Sequence, residues 1–406
     1  MKKETVKTIL KNIPVFLMFA MLFAFALLFV LHPKKEFSET ENRMLAQFPE
    51  VSFKKISSGE FQNEFETYLS DQFPLRDKLL SVSVRASALC GKKEINDVIY
   101  AGEENGETRL FDIYKKPENK EKFVSSVRGF AGKLESAEVT VMVVPTAINL
   151  YEDELPALYK MQERPLQKDT LDYFEKAFSE KTEDGNSSEI AFVKGIPELL
   201  SEEKNEGTNL YYRTDHHWTI RGAYAGYRCL APYLDIPVRE KAEADFITVS
   251  EDFYGTTWSK VCDGTVNPDR IEIYENPSWK GSLEVSYEDT KENSDSPYNR
   301  EYLNKKDQYS MFLNNQHSLV RISNPAADTE RCSESGHSSL VIIKDSYANS
   351  LVPLLIDQYE TIWIIDPRYY KGSISSWVNE HKEAEDVLIL YNLGTMDSDR
   401  GIGGIY

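Results

Sequence analysis

Four short apolar runs govern what this chain can fold into. Residues 139–144 end at Pro145-Thr146, residues 340–343 lead through Lys344 to Asp345-Ser346, residues 361–365 end at Asp366-Pro367-Arg368, and residues 387–391 end at Asn392. Each is rich in branched residues, too short for a typical helix, and closed by a breaker or a polar stop. Near-continuous apolarity means that both faces of such a strand are covered, as in parallel sheets flanked by helices. Helical patterns over 347–358 and 373–384 separate the runs and supply crossovers. The predicted core is therefore α/β with a mostly parallel sheet. Pro353 predicts a kink or early break in the helix that follows Ser346.

Open α/β sheets bind ligands at the C-terminal ends of their strands. Four parallel runs would bring Thr146, Ser346, Arg368 and Asn392 to one edge. Ser346 falls at a strand-to-helix junction, where it is exposed and where backbone N–H groups can stabilise an oxyanion. A serine hydroxyl is a poor nucleophile at neutral pH and needs a positioned base. Residues 214–219, Thr-Asp-His-His-Trp-Thr, offer one. Read as extended, this stretch projects Asp215 and His217 from the same side, so that Asp215 holds one ring nitrogen and leaves the other facing outward.

Ser346 as nucleophile, His217 as base and Asp215 as orienting carboxylate make a triad for acyl transfer. The competing reading has Asp215 capping a helix over 220–230, with both histidines structural. His216 is expected to point away from His217, in a structural or substrate-facing role, and Trp218 to pack in the core with its N–H satisfied. The backbone N–H groups of Ser346 and Tyr347 are the first oxyanion candidates, and Arg368 or Asn392 would add a side-chain donor. A surface salt bridge and a turn residue are the alternative readings of those two. Asp345 is read as shaping the turn.

Residues 13–31 carry no charge and, as a helix, span roughly 28 Å, enough to cross a bilayer. Lys2, Lys3, Lys7 and Lys11 precede them, which sets a cytoplasmic tail and an exported remainder. Cleavage after Ala24-Phe25-Ala26 is the rival, but it would leave an exposed apolar tail over 27–31, so an uncleaved anchor over 1–32 is expected. Residues 33–88 read as a stalk and a helical segment, with Phe61, Phe65, Tyr68 and Leu69 on one face of a helix over 61–88. Residues 89–406 form the α/β domain, with polar insertions near 180–189 and 275–308 read as solvated loops.

The chain has a formal net charge of −19, and the residues after position 32 carry about −22. Nucleic acid and anionic lipid would be repelled by that field. Cys90, Cys229, Cys262 and Cys332 lack C-x-x-C spacing, which argues against a zinc site. Export permits two disulfides in any of three connectivities, and buried free thiols remain equally open.

The blocks Ser38-Glu39-Thr40-Glu41-Asn42-Arg43, Asp71-Gln72-Phe73-Pro74-Leu75-Arg76, Asp215-His216-His217-Trp218 and Lys344-Asp345-Ser346-Tyr347 together resemble the DHHW protein family. That family is related to the SGNH-hydrolase-like proteins that O-acetylate alginate and other bacterial exopolysaccharides, in which the histidine block also precedes the serine block. The resemblance implies an SGNH-like three-layer fold and a serine O-acetyltransferase or esterase at the cell envelope. It also implies a polysaccharide substrate, no cofactor, and an acyl-transporting membrane protein as partner. Two other classes stay open. One is a non-catalytic envelope glycan-binding protein; the other is a metal-dependent phosphoesterase using Asp215, His216, His217, Asp345 and Asp366 as hard ligands.

Overall fold

A computed structural model describes residues 2–38, 40–41, 43–102, 106–161, 165–180, 190–240, 245–327, 337–397 and 401–405. The chain divides into two compact units, Met1–Lys92 with Ser259–Gly264, and Lys93–Trp258 with Thr265–Tyr406.

The first unit begins with helix α1 (Lys2–Leu31), whose Asn12–Leu31 portion is long and apolar enough to cross a membrane. The single helix expected over 61–88 is two, α2 (Glu60–Asp71) and α3 (Arg76–Leu89). Pro74 disfavours helical backbone in the residue before it, and the chain turns through Leu75 at φ 61°. Phe61, Phe65 and Tyr68 do share a face of α2, with successive ring centroids 5.8 and 6.1 Å apart. The two early sequence blocks close on each other. Arg43 places Nη1 and Nη2 on the Asp71 carboxylate at 2.9 and 2.6 Å, and the Ala46 N–H adds a third bond at 2.8 Å. Arg76 pairs with Glu41, and the Gln72 amide donates to the carbonyls of Lys35 and Ala46. The Arg43 hydrogen bonds hold the Asp71 carboxyl below the usual carboxylate range. Glu39 and Asn42 of the first block lie outside the described residues.

In the second unit the strands of the main sheet are β1 (Glu138–Val144), β2 (Ile190–Phe192), β3 (Glu284–Tyr287), β4 (Glu292–Ser294), β5 (Leu319–Ser323), β6 (Ser339–Lys344), β7 (Thr361–Ile365) and β8 (Asp386–Asn392). Their spatial order is β4-β3-β5-β7-β6-β8-β1-β2. The four predicted runs lie side by side as β7-β6-β8-β1, all parallel, with β2 added in parallel at one edge. An antiparallel extension, β5-β3-β4, builds out the other edge. Every residue of β6 and β8 is buried, so both faces of the sheet's centre are covered, as a mostly parallel three-layer α/β fold requires.

Residues 275–308 are not a solvated loop. They supply β3 and β4, and bury Trp279, Val285, Tyr287 and Tyr298, because a few large apolar side chains spaced among charges suffice to fill the sheet's extension. The other predicted insertion, near 180–189, lies outside the described residues from 181 onward. Past Ser346 the chain forms helix α5 (Ala348–Leu355), which contains Pro353 and gives way to a 3-10 turn at Ile356–Gln358, the early break expected. Cys90, Cys229 and Cys262 are free thiols, while Cys332 lies outside the described residues.

Candidate active site

Lys344 ends β6, and Ser346 sits between that strand and α5, only partly buried. The turn is fixed by Asp345. Its Oδ1 accepts the Tyr347 N–H at 2.8 Å, and its Oδ2 accepts the Asn392 N–H at 2.7 Å and the Thr395 hydroxyl. Burial pushes the Asp345 carboxyl up in spite of these donors. The Tyr347 amide, expected to face an oxyanion, is therefore already engaged. The Ser346 N–H makes no hydrogen bond among the described residues and remains available.

Residues 213–217 form a series of bends, not the extended run that the sequence suggested. An antiparallel bridge between Tyr211 and Trp218 closes the loop, reinforced by bonds from Tyr212 N to His217 O (3.2 Å) and Thr219 N to Leu210 O (2.9 Å). Buried Asp269 holds the loop's entrance by accepting the backbone N–H groups of Arg213 and Thr214 at 3.0 and 2.7 Å. Thr219, not Asp215, caps the following helix α4 (Ile220–Leu230) by accepting the Gly222 N–H.

Asp215 is thereby free to face its histidine. Its Oδ1 accepts both the backbone N–H of His217 at 2.9 Å and the Nδ1–H of the His217 ring at 2.5 Å. Its Oδ2 accepts the Thr256 N–H at 2.7 Å and the Thr256 hydroxyl at 2.9 Å. Gly255 passes so close that a Cβ there would lie 2.2 Å from the Asp215 Cβ. With Nδ1 protonated toward Asp215, Nε2 of His217 carries the lone pair, and it lies 2.8 Å from Ser346 Oγ. Asp215, His217 and Ser346 are thus in one hydrogen-bonded line, with the base aimed at the hydroxyl. Burial raises the Asp215 carboxyl, but the adjacent imidazoles and the Thr256 bonds outweigh it and hold the group well below the usual carboxylate range. Burial, together with the His216 ring, pulls His217 down to about 4 against the opposing effect of Asp215. At neutral pH His217 is uncharged and able to accept a proton.

His216 departs from expectation. Its ring packs against His217, with centroids 3.8 Å apart, and its Nδ1 lies 2.6 Å from Thr256 Oγ1. The tight bend at 213–217 turns successive side chains toward one side, where a strand would have sent them to opposite faces. Trp218 is fully buried as expected, and its indole N–H donates to the Tyr347 carbonyl at 2.9 Å.

Arg368 forks onto buried Asp366, Nε to Oδ1 at 2.8 Å and Nη2 to Oδ2 at 2.5 Å, while the Nζ of buried Lys344 lies 3.6 Å from the same carboxylate. The positive charge of Arg368 is felt at both His217 and Asp345, which places it in the field of the site without a direct bond to Ser346. Asn392 is committed elsewhere. Its amide donates to the carbonyls of Val144 and Pro145, and its side-chain oxygen accepts the Gly394 N–H, so it fastens strand ends and has no donor to spare for substrate. Thr146 bonds with Gln167 on both its backbone N–H and its hydroxyl.

The five hard-ligand residues do not converge. Ligand atoms of Asp215, His216 and His217 lie within 4.8 Å of one another, whereas Asp345 and Asp366 belong to the separate networks just described. Two further residues complete the site without a signal in the sequence. Thr256 orients Asp215, and Tyr309 stacks on His217 with centroids 3.8 Å apart and planes 10° from parallel while its hydroxyl donates to the Ser346 carbonyl.

A family model for DHHW proteins matches residues 110–365. The chain belongs to the DHHW family. No curated protein sequence matches it. Among solved structures, this DHHW protein resembles a DHHW family protein from Eubacterium siraeum DSM 15702, with 23% identity over 76% of this chain and 95% of that one, at a TM-score of 0.59. It also resembles PatB1 of Bacillus cereus solved with a sulfonyl adduct, with 17% identity over 76% of this chain and 99% of that one, at a TM-score of 0.56. The DHHW tetrad of the family name is Asp215 to Trp218, whose first residue holds the ring of the third, whose third lies against the Ser346 hydroxyl, and whose fourth ties the loop to the serine turn.

Proposed function

We propose that this DHHW protein is a membrane-anchored, extracytoplasmic serine acyltransferase that places acetyl groups on hydroxyls of a cell-surface or secreted polysaccharide. The observation that carries the reading is the unbroken line from Asp215 Oδ1 through His217 to Ser346 Oγ, at 2.5 and 2.8 Å. In this mechanism His217 Nε2 takes the Ser346 proton as Oγ bonds to the acetyl carbonyl carbon. The Ser346 N–H and the field of Arg368 stabilise the oxyanion, and the imidazolium returns the proton to the departing donor group. A sugar hydroxyl then attacks the acyl-serine, gives its proton to His217, and leaves as the ester while Ser346 regains its hydrogen.

The acetyl assignment rests on the family's kinship with exopolysaccharide O-acetylating proteins. The apolar helix through Leu31 supports an anchor with the second unit outside the membrane, and an acyl-transporting membrane protein would deliver the acetyl group. A mature N-terminus near Leu27 in mass spectrometry would replace the anchor with a cleaved signal.

The test uses the full chain in detergent. A sulfonyl fluoride is expected to modify Ser346 and to abolish release of acetate from an activated acetyl ester; added oligosaccharide is expected to divert acetyl from water to sugar. Acetate alone with every glycan that binds would make the protein an esterase. Glycan binding with neither an adduct at Ser346 nor turnover would make it a non-catalytic envelope protein.

A further inference from the structure

His216 is not needed for the proton path from Ser346 to Asp215, yet its chemistry is fixed with unusual completeness. Asp215 is ionised and can only accept, so the Thr256 hydroxyl at 2.9 Å from its Oδ2 must donate to it. That hydroxyl has spent its single hydrogen, and its lone pairs face the His216 Nδ1 at 2.6 Å. Nδ1 of His216 therefore carries a proton, and in the neutral ring Nε2 is a bare acceptor. Nε2 has no hydrogen-bond partner among the described residues, and the side chain keeps 27% of its surface exposed. The ring packs against that of the base, 3.8 Å between centroids with the planes tilted by 37°, and the Tyr347 hydroxyl fastens its backbone carbonyl. A second imidazole with its tautomer set, its backbone tied and its open nitrogen an acceptor is thus held beside the group that deprotonates the incoming hydroxyl.

We propose that His216 Nε2 accepts a hydrogen bond from the sugar hydroxyl adjacent to the one being acylated, so that the acceptor of this enzyme is a vicinal diol. The inference rests on the acyltransferase reading above. In the second half-reaction one hydroxyl of the diol bonds to the carbonyl carbon of acyl-Ser346 and passes its proton to His217 Nε2. The tetrahedral adduct then collapses, the bond to Ser346 Oγ breaks, and Oγ recovers the proton from His217. The neighbouring hydroxyl stays intact throughout and donates to His216, which fixes the angle of attack and favours a diol over water. His216 is a positioning residue for the acceptor, since it exchanges no proton with the reacting atoms.

The experiment measures partition, the ratio of acetylated sugar to free acetate, for full-length protein supplied with p-nitrophenyl acetate and methyl hexopyranosides or their monodeoxy analogues. Wild type is expected to favour the intact diol over the analogue lacking the neighbouring hydroxyl by about tenfold, the scale of one lost directional hydrogen bond. His216→Ala is expected to erase that preference, and His216→Gln, whose side-chain oxygen can reach the Nε2 position, to restore part of it. A ratio is insensitive to total turnover, so a general loss of activity does not mimic the effect. Equal partition to diol and deoxy sugars in wild type overturns the proposal without any variant, as does a preference that persists in His216→Ala. Failure of the parent reading looks different, because acetate release would then be independent of Ser346 or absent altogether.

Discussion

The indole N–H of Trp218 donates to the carbonyl of Tyr347 at 2.9 Å, and that bond joins the loop carrying His217 to the turn carrying Ser346. Trp218 is fully buried, and α4 accommodates it by approaching with glycine: a Cβ at Gly226 would lie 2.7 Å from the indole ring. Trp218→Phe keeps most of the apolar volume but removes the shorter of the two side-chain donors to the Tyr347 carbonyl, leaving the Ser350 hydroxyl at 3.4 Å. We expect a stability loss of about 1–3 kcal/mol in urea unfolding. A larger fractional loss of kcat than of acceptor binding should accompany it, because the two blocks lose their common register.

The aligned Asp215, His217 and Ser346 should behave as a unit. Ser346→Ala and His217→Ala are each expected to lower turnover of an activated acetyl ester by about 10⁴-fold or more, and the double variant by little more than either alone. Asp215→Asn retains the shape but presents an amide where His217 Nδ1–H needs an acceptor, and a loss near 10⁴-fold is expected. Wild-type rates in all three variants would remove these residues from the chemistry.

Gly255 offers a test of positioning that touches no reacting atom. A methyl group there would overlap the Asp215 side chain at 2.2 Å from Cβ and 2.3 Å from Oδ2, so Gly255→Ala must displace either the carboxylate or the segment that carries Thr256. The expected result is a fall in kcat of about 10²-fold, since a shift of an ångström in a catalytic array costs about that much. A variant with normal kcat and a normal melting temperature would show that the loop absorbs the clash.

The contrast among these residues shows what the sequence made legible. The four strands and their common edge followed from unbroken apolar runs, because burial on both faces leaves its mark in composition. The pairing of Asp215 with His217 was anticipated, but for the wrong local reason: their contact comes from a bend in which one carboxylate oxygen takes both a backbone and a ring N–H, and strand alternation plays no part. Thr256 and Tyr309 were invisible because they reach the site through tertiary folding, from positions 41 residues beyond Asp215 and 37 before Ser346. The fate of Asn392 was equally hidden, since a strand-end amide that faces ligand and one that ties two strands together have the same sequence. The blocks containing Arg43 and Asp71 looked like separate motifs, and their meaning lies in each other.

The acid limb of activity should be displaced from where a histidine enzyme ordinarily places it. Burial and the neighbouring His216 depress His217 from its ordinary 6.5 to about 4, so the neutral base persists as the pH falls below 6. The rate of acetyl-ester turnover is expected to hold across that range and to decline only as the pH nears 4. Stability moves in the same direction. The unfolded chain protonates this histidine near 6.5 and the folded chain does not until about 4, so between those values the unfolded state binds more protons and the fold weakens as pH falls. Asp215, also depressed, extends the same trend below its ordinary range. The two effects are separated by recording rate and near-ultraviolet circular dichroism at each pH. A rate that falls with an apparent pKa near 6.5 while the spectrum stays native would mean that His217 is solvated and unshifted in the working enzyme, and that the packing of Tyr309 and His216 around it does not exclude water as the structure implies.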